Sequence, residues 1–355
     1  MTEFGVYVHI PFCRSRCDYC AFATWTDRGH LVDAYVDAVI TDIGRAVDAG
    51  MPAADTVFFG GGTPTLIDPA NIARIIAAIP LSGDPEITVE CNPDDVTPAL
   101  METYAAAGVN RVSIGVQSMV THVLSVLGRH HDRSNVAVAV QCARAAGIGR
   151  INLDLIYGSV SESPEDWRTT VSAALELRPT HVSAYGLTVE AGTPLAEDPA
   201  RHPDDDEQAD KYIAADDLLT AAGLVNYEIS NWSLPGEECR HNMVYWDQGN
   251  YRGFGCAAHS HENGHRWWNV RTPDRYIDLV AAGEPVMAAD EHLEPAVREF
   301  ERLELSLRTR RGVPASALDM DSGVLEGLVE VTDGTAVLTR NGRLLANEIS
   351  TRLNP

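Results

Sequence analysis

Three cysteines near the start of the 355-residue sequence have a spacing that suits a metal centre. Cys13, Cys17 and Cys20 form a C-x3-C-x2-C pattern directly after the first predicted strand. Cysteines this close together do not join distant parts of a fold, but their thiolates can converge on one centre. Three thiolates suit a four-iron cluster in which one iron stays open for another ligand. The pattern therefore predicts an iron–sulfur site with an open iron at which chemistry occurs.

Zinc is the alternative for such a cysteine group. Zinc sites usually take four protein ligands, with cysteines paired as C-x2-C and a second pair about 12–20 residues further on. This sequence has no second pair, so the spacing favours the iron cluster. The remaining cysteines are scattered singly and are predicted to be small buried apolar residues; they are Cys91, Cys142, Cys239 and Cys256.

The elements that position the cysteines follow from the hydrophobic pattern. Short β-rich runs alternate with amphipathic helical runs at intervals of about 30–40 residues, which is typical of βα units on a parallel sheet. The predicted strands are Val6–Ile10, Thr56–Phe59, Glu86–Cys91, Arg111–Val116, Ile151–Ile156, His181–Leu187 and, at the end of the series, Val225–Ile229. The predicted helices are Leu31–Ala49, Pro69–Ala78, Pro98–Ala107, Ser134–Ala146, Pro164–Leu177 and Asp205–Ala222.

Three of these helices end in the same way, with Ala-Ala-Gly followed by an aliphatic residue. Glycine just past a helix can take the left-handed conformation that closes the last turn. The glycines concerned are Gly108, Gly147 and Gly223. The repeat predicts an α/β fold, a partial (β/α)6 TIM-like barrel that is open on one side. An open doubly wound sheet is the structural alternative.

Polar or glycine-rich residues recur where the predicted strands end. The carboxyl ends of the strands form the functional face of βα barrels. The cysteine loop follows the first strand, and the residues at the ends of the next five are Gly60–Pro64, Glu90, Gln117, Asp154 and Tyr185–Gly186. The sequence therefore predicts one site on this face.

The composition excludes some partners and favours one compartment. The formal charge of −24 repels phosphate backbones, so nucleic acid is not expected as a partner. The acidic run Asp204–Glu207 is predicted to cap a helix rather than to bind metal.

The first residues lack a signal-peptide pattern, no apolar run approaches about 18 residues, and cluster thiolates need a reducing compartment. We expect a cytoplasmic protein without a transmembrane segment. Transient membrane contact stays open as an alternative, although no basic amphipathic helix supports it.

The segment Tyr7–Cys13, the cysteine triplet and Gly60–Pro64 together resemble the radical S-adenosylmethionine (SAM) superfamily. Within it, the whole chain resembles the oxygen-independent coproporphyrinogen III oxidase family. The resemblance implies that the three cysteines hold a [4Fe–4S] cluster and that SAM chelates its fourth iron. It also implies a SAM site formed by Tyr7, Tyr19, Gly61, Gly62, Thr63, Glu90, Gln117, Arg129, Asp154 and Gly186.

The roles implied for these residues differ. The glycine segment presents backbone groups to the methionyl part of SAM, where only glycine lets the main chain come close. Glu90, Gln117 and Asp154 hydrogen-bond the polar and ribose groups of SAM. Arg129 pairs with the SAM carboxylate, a task that suits guanidinium geometry.

Two branches of the family differ in sequence. The coproporphyrinogen dehydrogenase branch typically has a fourth cysteine two residues after the third and a longer amino-terminal arm. Here that position is Phe22, and only six residues precede Tyr7. The haem chaperone branch carries H-N-x-x-Y-W, which this chain has as His241–Trp246. The resemblance implies that His241 ligates haem iron and that the aromatic faces of Tyr245 and Trp246 pack on the porphyrin.

The sequence thus predicts a haem chaperone that carries a SAM-ligated [4Fe–4S] cluster and delivers haem to acceptor haemoproteins, for example respiratory ones. His259, His261 and His265 are additional haem candidates that rank below His241. One alternative is the enzyme that decarboxylates coproporphyrinogen III to protoporphyrinogen IX. Another is a non-catalytic cluster protein in which SAM only caps the iron. Whether SAM is cleaved is left open.

The predicted domains are a radical SAM core at residues 1–235, a connecting segment with the haem motif at 236–280, and a winged-helix-like domain at 281–355. In the last domain, Glu291–Thr309 has helical periodicity, and a hairpin is predicted around Asn341-Gly342. The acidic charge argues against DNA binding by this domain. We expect it to cover the open barrel or to dock an acceptor.

Overall fold

Six parallel strands form the centre of the structure, a computed structural model that describes residues 3–129, 131–319 and 323–354. They pair in sequence order, each parallel to the next. The strands are β1 (Phe4–Ile10), β2 (Ala54–Gly61), β3 (Leu81–Cys91), β4 (Arg111–Gln117), β5 (Arg150–Tyr157) and β6 (His181–Gly186). The predicted α/β fold with an open, barrel-like parallel sheet is confirmed.

Helices connect and follow these strands, and each of the six helices predicted for this part of the chain is present with its ends shifted by at most one residue. They are α1 (Val32–Asp48), α2 (Pro69–Ala78), α3 (Pro98–Ala106), α4 (Thr121–Val126), α5 (Arg133–Ala145), α6 (Pro164–Glu176) and α7 (Asp205–Ala221), of which α4 was not predicted. Gly108, Gly147 and Gly223 have φ angles of 97°, 88° and 88°, as their predicted role in closing helices requires. The carboxylate of Asp204 accepts a hydrogen bond from the Glu207 N–H at 3.0 Å, so the acidic run caps α7 as predicted.

Further strands extend the sheet at both edges. Beside β1 lies β9 (Asn250–Phe254), which is parallel to it and is followed outward by three antiparallel strands. These are β10 (His259–Glu262), β11 (His265–Asn269) and β12 (Met287–His292), and the helices α8 (Arg240–Trp246) and α9 (Pro273–Ala282) lie in the same part of the chain. Beyond β6 comes β8 (Asn231–Ser233), antiparallel to it, and then β7 (Val225–Glu228), antiparallel to β8. The predicted strand Val225–Ile229 therefore does not pair with β6 as the next member of the parallel series but lies at the far edge of the sheet.

The two faces of the six central strands differ in polarity. The face toward the helices carries apolar residues such as Val8, Phe59 and Leu153, which are fully buried in the main core. The opposite face, on the inside of the open barrel, carries the alternate residues of each strand. These are largely polar: His9, Thr56, Glu86, Thr88, Glu90, Arg111, Ser113, Asn152, Asp154, His181 and Ser183. Branched apolar residues dominate the interior of a packed βα barrel, so this polar lining indicates a binding site rather than a second core.

The carboxyl-terminal part has its own hydrophobic cluster, which includes Leu303, Leu307 and Ile349. Its elements are α10 (Pro295–Leu307), β13 (Val313–Pro314), β14 (Val329–Thr332), β15 (Thr335–Leu338), α11 (Arg340–Leu344) and α12 (Ala346–Ser350). The three strands form a separate small sheet. The domain boundaries at residues 235 and 280 stay a prediction.

Two details of the carboxyl-terminal prediction are wrong. The hairpin turns at Asp333-Gly334, where both residues have positive φ, and not at Asn341-Gly342. The latter pair lies in α11, because the Thr339 hydroxyl caps that helix by accepting from the Gly342 N–H at 3.1 Å. The predicted helix from Glu291 begins only at Pro295, where proline suits the first helical turn.

A buried ion pair joins α7 to the loop before α6. Lys211, the only lysine of the sequence, is 3% exposed. Its ammonium donates to the Glu162 backbone carbonyl at 2.8 Å and lies 3.4 Å from the Glu162 carboxylate. Such a pair stabilises the fold only while both partners remain, because either charge alone is costly to bury.

No helix in the described part of the chain has both the length and the apolar character needed to cross a membrane.

Candidate functional site

The cysteine loop leaves the carboxyl end of β1 and is closed at its base. Phe12 and Trp25 form a parallel bridge, in which the Cys13 N–H donates to the Trp25 carbonyl at 3.1 Å and the Trp25 N–H to that of Pro11 at 2.8 Å. Within the loop, the Cys20 N–H donates to the Cys17 carbonyl at 3.2 Å. All three cysteines are half-buried and unpaired, while the other four are buried elsewhere as predicted.

The surroundings of the three sulfur atoms suit a cluster. The Thr63 hydroxyl lies 3.6 Å from the Cys13 sulfur, and the Arg129 guanidinium lies 3.8 Å from the Cys17 sulfur. Burial raises the pKa of the Cys13 and Cys20 thiols. A bound cationic centre would therefore be needed to hold them as thiolates.

The glycine segment at the end of β2 packs tightly on the start of the cysteine loop. The Gly62 N–H donates to the Ile10 carbonyl at 2.8 Å, and the Thr63 N–H to the Phe12 carbonyl at 2.9 Å. The Gly61 N–H donates to the Glu90 carboxylate at 3.2 Å, and Gly61 has a φ of 108°. The amides of Gly61, Gly62 and Thr63 are thus used within the protein and are not free to bind a ligand.

Gly62→Ala is expected to disturb the cysteine loop. A Cβ at this position would lie 2.7 Å from the backbone carbonyls of Ile10 and Phe12, which are not free to move like a side chain. The matched control is Gly44→Ala on the exposed side of α1, where a Cβ meets nothing within 4 Å. We expect the control to stabilise the protein by about 0.5–1 kcal/mol and Gly62→Ala to destabilise it by about 1–3 kcal/mol. Chemical denaturation checks both, and equal midpoints would contradict the packing argument.

Two carboxylates of the barrel interior have perturbed ionisation. Burial, with a smaller contribution from the charge of Asp154, raises the pKa of Glu90 to about 8. Burial also raises the pKa of Asp154, although hydrogen bonds from Ser113 at 2.6 Å and Asn152 at 2.8 Å oppose the shift. The strand ends therefore present an acidic pocket in which a cationic ligand would relieve the cost of ionisation.

Glu90→Gln is expected to stabilise the SAM-free protein at alkaline pH. The folded-state pKa of Glu90 lies above its ordinary value of 4.5, so its contribution to stability is complete below pH 4.5 and is lost as pH rises toward 8. Glutamine does not ionise, so the variant does not lose stability in this way as pH rises. The thermal midpoint of the variant should exceed that of the wild type by about 2 °C or more at pH 8, and by less at pH 5. The exposed Glu102→Gln on α3 is the control, and a lower midpoint for Glu90→Gln at pH 8 would contradict the assignment.

The remaining predicted SAM residues surround the same face. Gln117 ends β4 with a φ of 62°, and Arg129 donates to the Gly115 carbonyl at 2.9 Å beside it. The Tyr7 hydroxyl lies 3.1 Å from His9 Nδ1. Tyr19 packs in the cysteine loop against a small apolar cluster that includes Leu127 and Leu187.

Gly186 lies further round the barrel, at the end of β6. A Cβ there would lie 3.4 Å from the side chains of Tyr157 and Gln208. The structure thus brings Glu90, Gly61 and Arg129 close to the cysteine loop, which follows β1. Gly186 instead lies at the end of β6, at the other side of the six-stranded parallel sheet.

The H-N-x-x-Y-W segment forms the short helix α8, which inserts His241 into the barrel. His241 is 1% exposed. Its Nδ1 lies 2.8 Å from the Thr56 hydroxyl and its Nε2 lies 2.8 Å from the Tyr245 hydroxyl. The ring stacks on Phe58 with centroids 5.3 Å apart. Burial lowers the pKa of His241 to about 3, so its imidazole is neutral, the form that ligates iron.

Haem binding by this segment would therefore require a change in the hydrogen bonds of His241. Both His241 ring nitrogens already have partners, so an iron atom would have to replace one hydrogen bond. Tyr245 packs edge-on against His241 at 5.0 Å and against Tyr251 at 4.6 Å. Trp246 is half-buried at the end of α8. The aromatic residues thus form a column that runs from the barrel toward β9.

The three additional histidines lie outside the barrel, on the added strands. His261 is buried, with Nδ1 2.8 Å from the Gly249 carbonyl and Nε2 accepting from the Gly264 N–H. His259 is exposed and stacks on Trp268 at 5.7 Å. The Nε2 of His265 lies 2.9 Å from the Asp290 carboxylate.

Several side chains that position the site residues through hydrogen bonds were not identified from the sequence. Asn152 and Ser113 hold Asp154, and their side chains are 2.7 Å apart across neighbouring strands. His9 supports the loop as well, because its Nε2 lies 2.9 Å from the Ala23 carbonyl of the cysteine loop while its Nδ1 lies 3.1 Å from the Tyr7 hydroxyl. The available signal was the alternation of polar residues at 152 and 154 on β5 and at 111 and 113 on β4.

Comparisons with known proteins place this geometry in a class. The sequence profile of the radical SAM superfamily matches residues 7–174. The structure of the coproporphyrinogen III oxidase HemN from Escherichia coli, described as a radical SAM enzyme, superposes with a TM-score of 0.87. The match covers 99% of this chain and 89% of that one at 23% identity, and it shows a common fold. The fold and the cysteine loop define a radical SAM protein.

Curated relatives then identify the family. The haem chaperone HemW of Mycobacterium tuberculosis is 39% identical, with 98% of this chain and 93% of the relative covered. The haem chaperone HemW of Escherichia coli is 33% identical, with 98% and 97% covered. The chain belongs to the HemW haem chaperone family, and the predicted resemblance is confirmed.

Proposed function

We propose that this protein binds haem and transfers it to acceptor haemoproteins. The observation that carries the proposal is the similarity, over nearly the whole chain, to proteins named as haem chaperones. The H-N-x-x-Y-W segment supports it further, because α8 brings a neutral imidazole and aromatic faces together. We further propose respiratory haemoproteins as the acceptors.

The cofactors follow from the superfamily, which implies SAM and a [4Fe–4S] cluster. We propose that Cys13, Cys17 and Cys20 hold the cluster and that SAM fills its open position, where it would supply a capping ligand and a source of radicals. Arg129, beside Cys17, is suited to the SAM carboxylate. Glu90 and Asp154 are suited to its cationic and hydroxyl groups, because their pocket is acidic. Tyr7, Tyr19, Gly61, Gly62, Thr63, Gln117 and Gly186 complete the proposed site.

Coproporphyrinogen III dehydrogenation is the second candidate, because the HemN enzyme has the same fold. The residue two positions after the third cysteine argues against it. That residue is Phe22, whose side chain is 67% exposed beside the cysteine loop and offers no thiol. We therefore favour the chaperone, and we place the protein in the reducing cytoplasm that a cluster requires.

One preparation separates the candidates. The cluster is reconstituted without oxygen, haem is added at one equivalent, and an acceptor apoprotein follows. The chaperone predicts a Soret band on binding that moves to the position of the loaded acceptor. In a second portion, coproporphyrinogen III, SAM and reductant are added, and protoporphyrinogen IX should not form. Product formation without haem transfer would overturn the proposal, and measurement of 5′-deoxyadenosine decides whether SAM is cleaved.

A further inference from the structure

Three side chains meet on one face of the outermost strands of the main sheet. In the antiparallel pair β11–β12, His265 lies directly opposite His292, and Trp267 lies opposite Asp290. Alternate residues of a strand point to the same side, so these side chains share a face. Every residue of β12 is exposed, and no further strand covers its edge within the described residues.

The geometry brings two imidazoles to one carboxylate oxygen. His265 Nε2 lies 2.9 Å from Asp290 Oδ2, and His292 Nδ1 lies 3.8 Å from the same atom. The imidazole rings are stacked, with centroids 4.1 Å apart and planes 14° from parallel. The three ligand atoms all lie within 4.8 Å of one another.

These distances are close to those of a metal site. A tetrahedral ion with bonds of about 2.0–2.2 Å to nitrogen and oxygen holds its ligand atoms about 3.3 Å apart. The observed separations lie on both sides of that value, so small side-chain rotations would be sufficient. The His292 side chain is 76% exposed, so it is free to make this adjustment.

A plain ion pair explains the arrangement less well. His122 and Asp166 show what such a pair looks like in this protein, with one imidazole 3.4 Å from one carboxylate. A second imidazole stacked on the first adds nothing to an ion pair, and two protonated rings at this separation repel each other. Two neutral imidazoles and a carboxylate are instead a donor set for transition metals.

We propose that His265, Asp290 and His292 form a surface site for a divalent transition-metal ion of the zinc and nickel class. The bound ion ties the exposed edge strand β12 to β11. Three protein ligands leave a coordination position open to water or to a donor group of another molecule. The site shares no residue with the cysteine loop or with α8, and of the lower-ranked haem candidates it contains only His265. Because the test uses nickel without haem, it is independent of the proposed haem function.

Equilibrium dialysis of the cluster-loaded protein against Ni²⁺, without oxygen, tests the proposal. Nickel and iron are measured in the same samples, so that intact clusters are verified. We expect one tightly bound nickel per chain, and a loss of affinity of at least tenfold in His265→Asn and in His292→Asn. Asparagine at 265 can still donate to Asp290, and position 292 is exposed, so both variants should fold. His122→Asn, which breaks the simple ion pair, should bind like the wild type.

Two results would overturn the site. One is nickel binding that is equal in the wild type, His265→Asn and His292→Asn, and the other is no binding at submillimolar nickel. Hydrogen exchange provides a second measurement that does not depend on any activity of the protein. Nickel should slow exchange of the amides at residues 287–292 in the wild type but not in His292→Asn. Unchanged rates in the wild type would disprove the proposal that the bound ion ties β12 to β11.

Discussion

Cys13→Ser, reconstituted without oxygen, should lose the absorption near 400 nm and almost all bound iron. Cys13 sits at the closed base of its loop, within 3.6 Å of Thr63, so its sulfur is fixed in place. A serine hydroxyl does not replace a thiolate as a ligand of iron–sulfur clusters, which are held by cysteines. Two remaining thiolates should not retain the cluster. Iron analysis and the visible spectrum measure the effect.

The control for this prediction is Cys142→Ser. Cys142 is buried in the core on α5 and belongs to no cysteine group, so the variant should keep its full iron content. Full iron content in Cys13→Ser would remove this residue from the cluster. Zinc in place of iron in the wild-type protein would contradict the cluster altogether.

His241→Ala and Tyr245→Phe should change haem affinity in opposite directions. If His241 ligates iron through Nε2, its loss removes the ligand, and affinity should fall by at least about tenfold. The Tyr245 hydroxyl occupies that nitrogen at 2.8 Å. Phenylalanine removes a competing hydrogen bond worth about 1 kcal/mol, so Tyr245→Phe should raise haem affinity by about fivefold. Haem titration followed at the Soret band measures both.

A matched variant separates ligand loss from damage to the barrel. His181 is also buried, and its ring nitrogens bond to Asn152 at 2.6 Å and to Tyr227 at 2.7 Å. His181→Ala should therefore destabilise the protein in the same way as His241→Ala while retaining haem binding. Equal losses of haem affinity in the two alanine variants, or weaker binding in Tyr245→Phe, would reject His241 as the ligand.

The parallel core could be predicted because each of its signals is local. Alternating periodicity, Ala-Ala-Gly helix ends and the acidic cap at Asp204 each depend on residues close in sequence. The cysteine loop and the strand-end polar residues followed from the same pattern. The strands β8 to β11 could not be predicted, because runs of three to five residues carry too little periodicity. Their positions depend on pairing with strands far away in the chain, such as β9 with β1.

The candidate haem segment shows another limit of sequence reasoning. The motif indicated a histidine beside aromatic residues, and the structure places them together. It did not indicate that both imidazole nitrogens are already bonded, because Thr56 lies 185 positions earlier in the sequence. Similarly, the signals Asn341-Gly342 and Asp333-Gly334 are equivalent for a hairpin, and only the cap from Thr339 decides between them.

The buried lysine of α7 has a practical consequence for chemical labelling. Since Lys211 is the only lysine and is enclosed by its pairing with Glu162, reagents that acylate lysine amines find no reactive side chain on the folded molecule. Acetylation or tagging at lysine likewise requires that α7 first detach. Acylation of Lys211, read by mass spectrometry, would therefore report local opening of this part of the barrel wall, in a protein whose other cations are all arginine or histidine.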